Sequence, residues 1–163
     1  MKGIMFNTKY GLEQAVLNGT KTRTWRADKE PRYKIDEIVA IKQCYRDVMI
    51  YSFYKDKKLY NKVCNLMKEA GATNKMFVKN ELMLYKIKIT KVTPCKLQDV
   101  TEEECIAEGI YEFLENMFNF DSSDLPWYDC AKEAFAGLIN KLNGKDYWAS
   151  NPIGYAYEFE LVK

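Results

Sequence analysis

Apolar and polar residues alternate with a period of two in two parts of the chain, and this pattern predicts β-strands. The first runs over 83–92 and the second over 154–162. One side of each segment is mostly apolar and aromatic, whereas the other is mostly basic in the first segment and acidic in the second. A shorter apolar run over 37–45 predicts a third, buried strand.

Two short segments carry helix signals. Leu12, Ala15 and Val16 fall on one helical face, which predicts a short helix near 10–18 that ends before Gly19. The sequence 101–104 has a hydroxyl followed three residues later by a carboxylate. This is the pattern of a capping box, and it predicts a helix start. Gly109 would end that second helix.

A longer helix is predicted over 127–142, after Pro126 and before Gly144. Its apolar stripe is typical of core packing, and it consists of Trp127, Cys130, Ala131, Ala134, Phe135, Leu138, Ile139 and Leu142. The stretch 47–80 is ambiguous.

Within that stretch, Val48–Tyr54 favours a strand and Leu59–Ala70 a helix. Strands with helices between them, without a βαβ rhythm, predict an α+β fold around a small barrel. No repeat or linker interrupts the sequence, so we expect one domain over 1–163.

The amino-acid composition indicates in which cellular compartment the protein is expected to fold. Hydrophobic residues make up 47% of the chain and aromatic residues 14%, which is enough to form a core. No apolar run approaches the roughly 18–20 residues of a membrane span, and no segment resembles a signal peptide. Five cysteines without a C-x-x-C pair fit a reducing compartment. We therefore expect a cytoplasmic monomer without membrane contacts.

The chain contains no histidine. This excludes Ser-His-Asp, Cys-His and two-histidine RNA-cleavage chemistries, since each needs an imidazole. A zinc site would need cysteine or carboxylate ligands that are not closely spaced here. We expect no metal and no cofactor, and any catalysis must use Lys, Thr, Tyr, Cys, Asp or Glu.

Charge is unevenly distributed along the chain. Residues 1–100 contain 21 Lys and Arg against 10 Asp and Glu, whereas residues 101–163 contain 4 against 13. A basic surface attracts phosphates. The asymmetry is compatible with nucleic-acid binding, and equally with two halves whose charges pair with each other in the fold.

The segment 19–26 concentrates the candidate chemistry, because it contains three cations and three hydroxyls. Charge-assisted donors with adaptable hydroxyls suit an anion or the polar edge of a base. Trp25 could stack on a base. The alternative is a basic loop with a tryptophan in the core. The polar residues are Thr20, Lys21, Thr22, Arg23, Thr24 and Arg26.

This segment resembles the ASCH domain family. Gly19, Lys21, Thr24 and Arg26 match the four fixed positions of its G-x-K-x-x-T-x-R motif after a short helix. The resemblance implies a small PUA-like β-barrel with peripheral helices, and a protein that handles RNA or modified nucleosides.

Three further blocks, in the same order as in the family, extend the resemblance over nearly the whole chain: 33–41, 97–109 and 148–159. The last is similar to the end of phage-encoded and prophage-encoded members. Asp36 departs from the family, in which a glycine is usual at this position.

Insertions are expected near 47–80 and 111–145, which are long beside the smallest members of the family. They could narrow or reshape a cavity.

The resemblance also implies candidate site residues. One member of the family is an amidohydrolase that removes acetate from acetylcytidine, and its catalytic positions correspond to Lys21, Thr24 and Glu108. Arg23, Trp25 and Arg26 are the candidates for binding substrate or RNA. Two alternatives stay open: an RNA-binding module without chemistry, which would need an open basic groove, and a ribonuclease.

Amide hydrolysis sets a physical condition on Lys21. It can act as a base only if burial lowers its pKa far below the ordinary value near 10.4. Glu108, if partly buried, could donate a proton to the leaving amine. A direct pair between Lys21 and Glu108 would instead favour both charged forms, and it would suit a binding site better than a catalyst.

Overall fold

The computed structural model describes residues 1–121 and 127–162. These residues form a mixed five-stranded sheet, in the order β1-β3-β4-β7-β2, and a two-stranded hairpin, β5-β6. β1 and β3 are parallel, whereas β3 and β4, and β7 and β2, are antiparallel. The strands are β1 (Gly3–Ile4), β2 (Arg23–Arg26), β3 (Ile38–Ile41), β4 (Lys86–Lys96), β5 (Tyr111–Leu114), β6 (Met117–Asn119) and β7 (Ile153–Val162).

Helices accompany the sheet, and the predicted α+β class is confirmed. They are α1 (Leu12–Leu17), α2 (Tyr45–Ser52), α3 (Lys57–Cys64), α4 (Glu102–Ala107), α5 (Ala131–Asn143) and α6 (Tyr147–Ser150), with short 3₁₀ turns at Ala70–Ala72, Lys75–Phe77, Asn80–Leu82 and Leu97–Asp99. Among the described residues, no helix combines the length and the apolar character needed to cross a bilayer.

Both alternating segments form strands: β7 spans Ile153–Val162, close to its predicted bounds, whereas β4 spans Lys86–Lys96 and so begins and ends later than the predicted 83–92. The third prediction was too long, because β3 ends at Ile41. In the ambiguous stretch 47–80, the structure has the helix α2 where Val48–Tyr54 was compatible with a strand. Tyr45, Val48 and Ser52 are the buried residues of α2, and their spacing of three and four is that of a helix with one side in the core.

The long helix begins at Ala131, later than predicted, and Cys130 precedes it in an extended conformation. Tyr128 forms an isolated β-bridge with Phe118, so its backbone hydrogen bonds belong to the hairpin and not to a helix. Trp127 stacks on Phe113, with ring centroids 4.9 Å apart. The stripe from Ala131 onward does pack in the core; its buried members are Ala131, Ala134, Phe135, Leu138 and Ile139. Pro126 lies outside the described residues.

The chain divides into two compact units. Unit 1 comprises Met1–Phe6, Ile38–Lys88 and Leu161–Lys163, and unit 2 comprises Asn7–Glu37 and Ile89–Glu160. The core of unit 1 is built from α2, α3 and the 3₁₀ turns around Ala40, Tyr45, Val48, Val63, Val78 and Met83. Gly71 makes room for the ring of Tyr45, since a Cβ at this position would lie 2.6 Å from it.

Candidate functional site

The four motif positions lie in a segment of unit 2 that is held on both sides. α1 ends before Gly19, whose φ of +77° lies in the left-handed region that favours glycine. The N–H of Thr22 then donates to Ala107 O at the end of α4 (3.0 Å), and the N–H of Phe159 donates to Thr22 O (2.8 Å). The motif is therefore fixed between α4 and β7.

Glu108 is positioned by the helix start that the sequence predicted. The N–H of Thr101 donates to Glu104 Oε2 (3.0 Å), and the N–H of Glu104 donates to Thr101 Oγ1 (3.2 Å), so the capping box is confirmed. Glu108 follows as the C-terminal cap of α4, and Gly109, with a φ of +103°, ends the helix. The single helical turn between the capping box and Gly109 thus determines where the carboxylate of Glu108 lies.

Lys21, Arg23 and Glu108 form a buried ion cluster, with each residue no more than 4% exposed. Lys21 Nζ donates to Glu108 Oε2 (2.9 Å), and Arg23 Nη1 donates to Glu108 Oε1 (2.9 Å). A longer ion pair of 3.5 Å joins Arg23 Nη2 to Glu104 Oε1 at the edge of the cluster. Arg23 Nε is buried without a hydrogen-bond partner among the described residues.

Two backbone carbonyls complete the surroundings of Lys21. Its Nζ donates to Arg23 O (2.8 Å) and to Glu108 O, in addition to the Glu108 carboxylate. Burial lowers the pKa of Lys21 below its usual value of 10.5; Glu108 opposes that shift, and the charges of Arg26 and Arg23 add to it. The carboxylate and both carbonyls accept hydrogen bonds from the ammonium, so this geometry suits the protonated form.

Thr24 follows Arg23 directly in β2. Neighbouring residues of a strand point to opposite sides, so Thr24 and Arg26 share one side of β2, and Arg23 the other. Thr24 is buried and pairs with Tyr157 of β7. The structure therefore brings Lys21 and Glu108 together and adds Arg23 to them, whereas strand alternation places the side chain of Thr24 on the side of β2 opposite to that of Arg23.

The candidate binding residues have different surroundings. Arg23 forms ion pairs with Glu108 and Glu104. Trp25 is buried, with 7% of its surface exposed, and its Nε1 lies 3.5 Å from Cys95 O. Trp25 is therefore a core residue in this structure, as in the alternative interpretation of the sequence, and its ring is not available for stacking. Arg26 is half-buried.

Comparison with protein-family models, curated proteins and solved structures gives no match. The family resemblance therefore depends on the motif blocks alone, and it stays a prediction. Among the described residues, no group of three or more Cys, Asp or Glu side chains is arranged to hold a metal ion.

A cavity of about 530 Å³ lies next to the motif in unit 2. Thr20 and Gly109 line it, and the side chain of Lys21 passes behind Gly109, since a Cβ on this glycine would lie 3.4 Å from Lys21 Cδ. Neither Lys21, Thr24 nor Glu108 lines it. Its aromatic walls are Tyr10, Tyr111 and Phe120, and its charged residues are Lys9, Glu112 and Asp121.

Sequence reasoning missed these cavity residues, because they come from three separate segments with no shared motif. Tyr111 is the most informative of them. Its hydroxyl is buried and has no hydrogen-bond partner among the described residues. Burial, followed by the charge of Asp121, raises the pKa of Tyr111. A buried donor without a partner costs stability, and a ligand in the cavity could provide the missing acceptor.

Proposed function

We propose that this chain is an ASCH-type protein that handles RNA or a modified nucleoside, and that it acts by binding. The observation that carries the proposal is the 2.9 Å contact between Lys21 and Glu108, which joins the two segments that most resemble the family. Both carboxylate oxygens of Glu108 accept hydrogen bonds from cations. This closed arrangement favours a rigid support for a binding site over a pair of groups that exchange protons.

The backbone at Asp36 supports the proposed family. Its φ of +63° lies in the left-handed region, which glycine adopts without strain and aspartate adopts at a cost. Asp36 stands where relatives usually have glycine. A turn of the same geometry would explain the glycine in the family and the tolerated aspartate here, since Asp and Asn are the side chains best suited to this region.

The proposal includes a small PUA-like β-barrel with peripheral helices. The mixed sheet supports it, because strands distant in sequence are neighbours: β2 pairs with β7, and β1 with β3. Such long-range pairing places β1 and β2 at the two edges of one sheet, and a barrel would close where these two edges meet.

The cavity of about 530 Å³ is the proposed nucleoside site. Its size lies within the range of about 300–1,000 Å³ that is usual for small-molecule sites. Tyr10, Tyr111 and Phe120 offer aromatic surface for a base. Lys9 is outnumbered by Glu112 and Asp121, so the local charge disfavours a phosphate group. A nucleoside therefore suits the cavity better than a nucleotide.

Replacing Tyr111 with Phe is expected to weaken nucleoside binding about 5–10-fold, the effect of losing one hydrogen bond of about 1 kcal/mol. Calorimetric titration with cytidine and acetylcytidine measures this, and cytidine monophosphate should bind more weakly than either. The same change should raise the melting temperature or leave it unchanged, because it removes a buried hydroxyl without a partner.

Tyr85→Phe is the matched control, since Tyr85 is half-buried and lies in unit 1. Its affinity for nucleosides should equal that of wild type. Equal affinities for Tyr111→Phe and Tyr85→Phe, or no nucleoside binding at millimolar concentration, would contradict the proposed site.

A second candidate, an amidohydrolase on an acylated nucleoside, is favoured by one observation: burial lowers the pKa of Lys21. In this reaction a water oxygen bonds to the acyl carbon, the C–N bond breaks, and the nitrogen takes up a proton, which yields acetate and cytidine. To act as the base, Lys21 would have to release a proton and give up one of the hydrogen bonds that it donates to Glu108 and Arg23.

Acetate release from acetylcytidine is the test of this candidate. Lys21→Ala should remove most activity, and Thr24→Ala and Glu108→Gln should each lower it on the order of 100-fold. Because the pKa of Lys21 is lowered, activity should rise with pH and level off below the range in which an exposed lysine titrates. Lys29→Ala, at an exposed position, should be fully active. A folded Lys21→Ala protein with wild-type turnover would disprove the mechanism.

A further inference from the structure

The two structural units differ in the sign of their net charge. Unit 1 contains 13 Lys and Arg against 4 Asp and Glu, a net charge of +9, whereas unit 2 contains 12 against 19, a net charge of −7. In unit 2, Lys21 and Arg23 are also buried against Glu108. Phosphate groups would therefore be attracted to unit 1 and not to the motif segment.

Exposed aromatic rings lie beside the lysines of unit 1. At the end of α2, Phe53 is 50% exposed and Tyr54 is 91% exposed. Phe53 packs edge-to-face against Tyr54 and Tyr60, with ring centroids 4.5 Å and 5.1 Å apart, so the rings form one cluster. Contiguous exposed rings of this kind, in contrast to single exposed side chains, mark an interaction surface.

The lysines adjoin this cluster along the chain. Lys55, Lys57 and Lys58 are exposed and follow Tyr54 directly. Asp56, the one acidic residue among them, caps α3 by accepting from the N–H of Leu59 (2.9 Å). We call the surface formed by Phe53, Tyr54, Tyr60, Lys55, Lys57 and Lys58 the Tyr54 surface.

α3 extends the basic surface toward a cavity. Lys62 lies four residues after Lys58 and therefore on the same side of the helix. It borders a cavity of about 350 Å³, where it and Lys79 outnumber the one acidic residue of the lining, Glu81, and where Leu66 and Leu82 add apolar walls. Lysines next to an apolar cavity suit a single-stranded nucleic acid. Its phosphates could contact the lysines, and an unpaired base could contact the apolar walls.

We propose that the Tyr54 surface binds single-stranded nucleic acid, with Tyr54 stacking on a base and Lys55, Lys57, Lys58 and Lys62 contacting phosphates. Charge complementarity selects this occupant, and aromatic stacking needs bases that are not paired. The choice of RNA over DNA rests on the proposed function, whereas the surface itself lies in a different unit from the nucleoside cavity.

Fluorescence anisotropy with a labelled 12-nucleotide single-stranded RNA tests the inference. We expect micromolar affinity at 50 mM salt. Four phosphate contacts on a single strand give a slope of about −2.8 in log affinity against log salt, so the affinity should fall about 50-fold by 200 mM. Tyr54→Ala should weaken binding about tenfold. The double variant Lys57→Ala/Lys58→Ala should reduce the slope by about half.

Two variants in unit 2 are matched controls. Lys29→Ala/Lys145→Ala removes the same charge from exposed positions, and Phe113→Ala removes an aromatic ring that is 62% exposed. Both should bind the RNA as wild type does. The inference would be overturned if Lys29→Ala/Lys145→Ala weakened binding as much as Lys57→Ala/Lys58→Ala, or if Phe113→Ala weakened it as much as Tyr54→Ala. An affinity below detection at 50 mM salt would also overturn it.

Other classes of partner are also distinguished. Binding of poly-glutamate, or of vesicles that contain phosphatidylserine, without binding of the RNA would overturn the inference. Titration of cytidine into the same variants separates this surface from the proposed function. If Tyr54→Ala loses RNA binding but still binds the nucleoside as wild type does, the Tyr54 surface is supported. If the wild-type protein binds the nucleoside but not RNA, the inference about the Tyr54 surface is overturned and the proposed function stays intact.

Discussion

Glu108→Gln is expected to lower the free energy of unfolding by about 3–5 kcal/mol, the usual cost of removing one partner from a buried ion pair. Glu108 is 3% exposed and accepts from both Lys21 and Arg23. Its neutral amide would remove the carboxylate that both buried cations contact at 2.9 Å, and would leave Arg23 with only the longer, 3.5 Å pair to Glu104 among the described residues. Urea unfolding at pH 7, followed by circular dichroism, measures the change.

Two further variants make this prediction specific. Lys21→Met should cost less than Glu108→Gln, because Glu108 then keeps its contact with Arg23. Glu115→Gln, at an exposed position, should leave the unfolding midpoint unchanged. A Glu108→Gln midpoint equal to that of Glu115→Gln would contradict the buried cluster.

Gly154→Ala is the second change with a large expected effect, a loss of about 3 kcal/mol or more from overpacking. A Cβ at this position would lie 2.6 Å from Trp25 Cζ2 and closer still to Arg26 O. The clash involves the backbone of β2, which no rotamer change can relieve. Urea unfolding measures the loss, and faster hydrogen exchange of the β2 amides should accompany it.

Gly144→Ala provides the contrast. Gly144 has a φ of +111°, and a methyl group added to it would meet nothing within 4 Å, so its cost is conformational and about 1–2 kcal/mol. Comparing the two variants thus distinguishes stability lost through a steric clash, at Gly154, from stability lost through backbone strain, at Gly144. A Gly154→Ala protein as stable as Gly144→Ala would show that β2 can move away from β7.

The sequence by itself determined the local elements whose signal is contained in a few neighbouring residues. Alternation over 83–92 and 154–162 was sufficient for β4 and β7, because period-two burial is a property of a strand with one side in the core. The capping box at Thr101 was recognisable because both of its hydrogen bonds lie within three residues.

Where several local conformations could bury the same apolar residues, the sequence did not suffice. Val48–Tyr54 favours a strand in isolation, but α2 buries Tyr45, Val48 and Ser52 in the core of unit 1. Trp127 fits a helical stripe, but the backbone of Tyr128 pairs with Phe118 of the hairpin. In both segments, contacts with residues distant along the chain decide the conformation.

The tertiary structure alone decided the composition of the candidate site. The sequence assigned Lys21, Thr24 and Glu108 to one catalytic group and Arg23 to ligand binding. In the structure, Arg23 contacts Glu108, which is 85 positions away along the chain. Strand alternation places the side chain of Thr24 on the opposite side of β2 from that of Arg23. The tertiary structure likewise decides which charges share a unit: unit 1 carries a net charge of +9 and unit 2 a net charge of −7. Ion pairs, cavities and charged surfaces depend on distances in space, which local spacing along a chain does not encode.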